Sequence, residues 1–137
     1  MSFALNYWAV LVAGVASMVI GSFWYGPLFG KIWVPLMGFS QEQMKAAQAK
    51  GMAKSYALAL VGGLVTAAVI AILVSKLGIT DVQGAGKLVF TLWVGFIATT
   101  LLSTVLWENR PWKLYFINIF YYLVLFFVQA VILTYWV

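Results

Sequence analysis

The chain has 137 residues, with 65% hydrophobic and 8% charged side chains, a net charge of +5, and neither Cys nor His. An ordinary soluble domain carries about 25% charge and about 45–50% apolar residues, so a soluble globular protein, a disordered chain and a disulfide scaffold are all excluded. Missing thiol and imidazole ligands also remove most metal and thiol chemistry, and no cofactor is expected.

Four long stretches carry no formal charge: 2–30, 55–75, 88–107 and 114–137. A bilayer core about 30 Å thick needs about 20 apolar residues in helix. Backbone inside hydrocarbon must satisfy its own hydrogen bonds, so each stretch is expected to be a helix. The predicted fold is all-α, a four-helix transmembrane bundle with spans near 4–23, 56–75, 88–107 and 114–136, forming one domain. An amphipathic cytoplasmic helix is expected to lead into the second span.

The first span has no basic residue before its apolar run, so it reads as a retained helix and not as a secretory signal. Ala9, Ala13, Ser17 and Gly21 recur along it every fourth residue. Small residues at that spacing let helices approach closely in lipid. The segment Trp24-Tyr25-Gly26-Pro27-Leu28-Phe29-Gly30-Lys31-Ile32-Trp33 should end the helix, because Pro27 lacks an N–H. Its aromatic rings around Lys31 suit the headgroup level. Ser40-Gln41-Glu42-Gln43 reads as a capping box. The helix it opens should run on into the second span, carrying Lys45, Lys50 and Lys54, with a bend at Gly51.

The second span repeats the small-residue pattern at Ala59, Gly63, Ala67, Ala71 and Ser75. The connection 76–87, with its glycines and Asp81, reads as a plain loop. The third span carries Thr91, Gly95, Thr99 and Ser103 at the same spacing, so three close-packing stripes are expected. Trp107-Glu108-Asn109-Arg110-Pro111-Trp112-Lys113 reads as a tight corner. The last span holds fifteen Leu, Ile, Val and Phe residues, favouring insertion by about 5–9 kcal/mol, more than the cost of Asn118 and Gln129. Its bulky side chains are expected on the outside of the bundle or at a subunit interface.

Six of the eight basic residues lie in the first and third connections and two in the second. The positive-inside rule then places those two connections in the cytoplasm and both termini outside. The basic residues are scattered over three loops and form no stripe, so anionic lipid, not nucleic acid, is the expected partner of the charge.

The Asn6-Tyr-Trp-Ala start, the Trp24–Trp33 segment and the corner from Glu108-Asn-Arg110 to Ile117-Asn118 resemble the domain-of-unknown-function 1761 family. The resemblance runs over essentially the whole chain. It implies a small four-helix protein of the bacterial inner membrane and no established activity.

The predicted orientation brings two unusual pieces to one face, giving Trp24, Tyr25, Lys31, Trp33, Glu108, Arg110 and Trp112 as candidate binding residues. Asn118, Tyr122 and Gln129 share a face of the last helix. The sharpest reading is a polar cavity open to the cytoplasm, with Glu108 neutralised by Arg110 or Lys31 and with hydroxyls from Thr99, Thr100, Ser103 and Thr104. Plainer readings stand beside it. Glu108 with Arg110 makes a surface pair worth at most about 1 kcal/mol. The hydroxyls bond to their own helix, and Asn118 and Gln129 join helices at about 0.6 kcal/mol per contact.

No catalytic triad, metal-ligand cluster or phosphate loop is present, so the chain is not expected to be an enzyme. A non-catalytic module binding lipid or a partner protein is the expected function, with a homodimer as its simplest assembly. The competing reading is an oligomeric small transporter or channel in which Glu108 couples to a proton or cation. The sequence does not name a small-molecule ligand.

Overall fold

The computed structural model describes residues 6–38, 40–49 and 51–136. Those residues form an all-α protein with no strand among them. The helices are α1 (Tyr7–Leu28), α2 (Gly30–Met37), α3 (Gln41–Ala49), α4 (Ala53–Lys76), α5 (Val82–Leu106) and α6 (Trp112–Tyr135). Of these, α1, α4, α5 and α6 are long and apolar enough to cross a membrane.

Each boundary has a local cause. Asn6 caps α1, its Oδ1 accepting from the N–H groups of Trp8 and Ala9 at 3.1 and 3.2 Å. The expected span began at residue 4, and residues 4 and 5 lie outside the described residues. Pro27 does not end the helix as expected. The last turn, Trp24–Leu28, widens into a π turn, with the Phe29 N–H donating to the Trp24 carbonyl five residues back at 2.9 Å. The wider ring absorbs the proline that an α turn would reject. The chain then re-enters helix as α2 and stops at Gly38, whose φ of +76° suits the left-handed region.

The capping box forms as read: the Gln43 N–H donates to Ser40 Oγ at 3.1 Å, and the Ser40 N–H to Gln43 Oε1 at 2.9 Å. The helix it opens does not run into the second span, however. It ends at Ala49, Gly51 takes φ +81°, and α4 starts afresh at Ala53. The left-handed residue breaks the helix outright, where the sequence suggested a bend. Lys50 lies outside the described residues.

The second connection is shorter than expected. Asp81 Oδ1 accepts from the Gly84 N–H at 2.8 Å, so α5 begins at Val82, not at 88, and Lys87 belongs to the helix. At the corner after α5, Asn109 adopts φ +56°, and the Arg110 N–H donates to the Thr104 carbonyl at 2.9 Å. Pro111 then stands immediately before α6.

The packing corrects the expectation for the last helix in part: Phe116, Phe120 and Phe127 do face outward, but the helix itself is not peripheral. α6 is central: it packs against α1, α4 and α5, while α5 docks chiefly on α6. The small residues of α1 and α4 explain this arrangement. Ala9, Ala13 and Ser17 of α1 and Gly63, Ala67 and Ala71 of α4 are buried. The two helices therefore approach closely and leave a hollow that the bulky α6 fills. A Cβ on Gly14 would collide with Leu64, and one on Gly63 with the Ser17 hydroxyl. The third stripe does not pack: Thr91, Gly95, Thr99 and Ser103 are all exposed. Their hydroxyls bond within their own helix, Thr91 to Lys87, Thr99 to Gly95 and Ser103 to Thr100.

Two ends result. One carries Lys31, Lys54, Arg110 and Lys113 and is called the basic end below. At the far end lie Asn6, the α4–α5 turn and Trp136. The larger apolar core, including Ala13, Ala67, Val74, Val89 and Leu133, occupies the far half. A smaller one around Trp93, Tyr115 and Ile119 joins α5 to α6 toward the basic end.

Candidate functional site

The π turn of α1 has a consequence for the basic end. It turns Trp24 and Tyr25 toward the first turns of α6. Trp24 Nε1 donates to the Ile117 carbonyl at 3.1 Å, and Tyr25 OH donates to Asn118 Oδ1 at 2.8 Å. An amphipathic ring at this depth packs its body and pairs its one polar atom, which is the arrangement that burial demands. Gly30 is needed to close the turn, because a Cβ there would meet the Tyr25 carbonyl oxygen at 2.7 Å.

Aromatic rings then spread from this pair. Tyr25 lies 4.9 Å from Trp33 on α2 and 5.1 Å from Tyr121 on α6, centroid to centroid. Trp24 lies 4.7 Å from Phe29. Tyr121 continues to Tyr122 at 5.0 Å, and Tyr122 to Phe126 at 6.1 Å. Tilted and edge-on pairs at these separations contribute about 0.5–1.5 kcal/mol each beyond their buried area. The seam is therefore one continuous run of ring contacts, not a set of independent anchors.

The opposite flank of α6 is held in a parallel way. Trp93 Nε1 donates to the Ile119 carbonyl, and Tyr115 OH to the Ala98 carbonyl, both at 2.6 Å. Two indoles, from α1 and α5, thus bond to α6 carbonyls two residues apart. Trp93 opens a second π turn, Trp93–Ala98. Sequence reasoning missed Trp93, Tyr115 and Tyr121. A usable signal was present for Trp93: it sits inside a span, away from the headgroup level, where an indole N–H must find an acceptor.

The ten candidates separate into three groups. The structure brings together Trp24, Tyr25, Trp33, Asn118 and Tyr122. It leaves Lys31, Glu108, Arg110 and Trp112 exposed on the rim of the same end. No ion pair joins Glu108 to Arg110 or Lys31 among the described residues. Gln129 lies apart: it is eleven residues, about 16 Å of helix, beyond Asn118 and is completely buried. The hydroxyls expected to line a cavity with Glu108 are turned elsewhere. Thr99, Thr100 and Ser103 are exposed on α5, and the Thr104 hydroxyl is bonded to the Leu101 carbonyl.

A cavity is present, but at the far end. It has a volume of about 610 Å³ and lies between the N-terminus of α1 and the C-termini of α4 and α6. No group of three or more His, Cys, Asp or Glu residues that could hold a metal occurs among the described residues.

The model of a family described as a protein of unknown function (DUF1761) matches residues 8–134. No curated protein and no solved structure matches the chain.

Proposed function

The chain belongs to the DUF1761 family, and from that premise we propose that it is a non-catalytic membrane module whose basic, aromatic end engages anionic lipid headgroups. One observation carries this reading: a hydrogen-bonded aromatic seam, Trp24-Tyr25-Trp33-Tyr121, stands beside exposed cations at Lys31, Arg110 and Lys113. Rings with one apolar body and one polar tip suit the membrane interface, and each nearby Lys or Arg adds about 1 kcal/mol toward an anionic surface. The lysine and arginine distribution supports placing this end in the cytoplasm of a bacterial inner membrane, with both termini outside. A homodimer is the simplest assembly.

The test is lipid retention. Detergent-purified Trp33→Ala and Trp112→Ala variants should keep fewer anionic lipids by native mass spectrometry than the parent does. Unchanged retention removes the lipid reading and leaves a protein partner as the ligand of this face. The exposed position of Glu108 argues against a coupled transporter, so liposomes should show no proton flux sensitive to Glu108→Gln. The orientation is read independently: a phosphatase reporter fused at the C-terminus should be active, and a cytoplasmic signal would invert the assignment of both ends.

A further inference from the structure

Gln129 is zero percent exposed, and its amide nitrogen donates to the Ala13 and Gly63 carbonyls at 3.0 and 3.2 Å. Those two bonds use both N–H groups and fix which amide atom is the oxygen. Gln129 Oε1 is buried and has no donor among the described residues. Leaving such an acceptor unpaired forfeits its hydration with nothing in return, and nearly all buried polar atoms in folded proteins have a partner, either protein or ordered water.

A second, independent feature lies one helical turn away. Among the described residues, the far-end cavity is walled by Ala71, Val74 and Leu133. These follow Ala67, Ile70 and Gln129 by four residues, about 5.4 Å along their helices. The remaining wall offers neutral hydrogen-bonding groups from Ser75, Thr80 and Thr134, and none of the described lining residues is ionisable.

We propose that this cavity is a hydrated vestibule and that its inner terminus is a water site on Gln129 Oε1. Thr134 of the cavity wall offers a second polar group. Its side chain is buried, and its hydroxyl donates to the Ala130 carbonyl at 2.7 Å, which leaves an oxygen lone pair to accept from water. A buried water needs two or more such partners. Neutral partners and an uncharged wall select water over an ion, since a bare charge here would have nothing to offset its desolvation.

Solid-state NMR of the full chain in liposomes, with labelled glutamine, tests this. Gln129→Met identifies the Gln129 side-chain signal by its loss. Water-to-protein magnetisation transfer should reach the Gln129 amide nitrogen, with the exposed Gln83 as the internal positive control. Hydrogen–deuterium exchange of the Gln129 side chain should slow at least tenfold in Ala71→Phe, which narrows the cavity. Ser75→Phe, at an exposed position on the cavity rim, gives the same reading if Ala71→Phe fails to fold. Transfer to Gln83 with none to Gln129 overturns the water site. Exchange unchanged in the foldable variants overturns the vestibule as its source.

Discussion

Gly62 and Gly63 are neighbours on α4 with opposite surroundings. Gly63 touches the Ser17 hydroxyl, whereas a Cβ on Gly62 would meet nothing within 4 Å. Gly63→Ala should therefore destabilise the bundle by about 1–3 kcal/mol through overpacking. Gly62→Ala should be neutral or stabilising by about 0.5–1 kcal/mol, the helix preference of alanine. Unfolding of both variants in mixed micelles measures the difference, and equal effects would contradict the close α1–α4 approach. The same scale explains why the Trp24–Trp33 segment could be noticed from sequence but not interpreted. Its aromatic residues and Pro27 mark an unusual place, yet nothing in the string says that the proline will be carried in a π turn. That turn is what aims Trp24 and Tyr25 at α6.

At the level of single helices, stops were easier to read than starts: those expected at 75, 107 and 136 fall within one residue of Lys76, Leu106 and Tyr135. The Ser40–Gln43 box and the four long spans follow from spacing and hydropathy, which are local properties. The early start of α5 was missed because Lys87 and the glycines of the connection were given more weight than the cap at Asp81. That cap is a definite interaction, and Asp81→Ala should cost about 1 kcal/mol. It should also raise hydrogen exchange at the Gly84 amide, while amides in the middle of α5 remain as protected as before. Gly51 likewise shows how one backbone value decides an element. With φ at +81°, the polar helix α3 and the apolar helix α4 are two separate helices.

For the whole bundle, composition revealed the number of membrane-length helices but not their neighbours. Three small-residue stripes looked equivalent in sequence. Two pack, and that of α5 faces outward, because burial depends on which helix fills the hollow between the other two. Ala67→Leu, on a packed stripe, should destabilise the protomer by at least about 1 kcal/mol. Thr99→Leu, on the exposed stripe, should change its stability by less than about 0.5 kcal/mol. A thermal-melt comparison in detergent separates the two, and a large effect at Thr99 would mean that α5 packs on that face. The candidate site was half legible for a related reason. Residues adjacent in sequence, such as Trp24 and Tyr25, could be grouped directly. The grouping of Glu108 with Gln129 assumed a shared cavity that the antiparallel packing does not build.

Because α6, among the described residues, packs extensively against each of the other three spans, the order of synthesis constrains assembly. A ribosome delivers α1 and α4 first, and these two can pair along their small residues as soon as both are inserted. α5 follows with few contacts of its own and must wait in the lipid near the translocon. Only when α6 emerges do the Trp24 and Trp93 indoles find their acceptors and does the Gln129 amide reach both earlier helices. Maturation of the bundle is then a late, single closing event, and the interval before it is when quality-control proteases would have their best access to the chain.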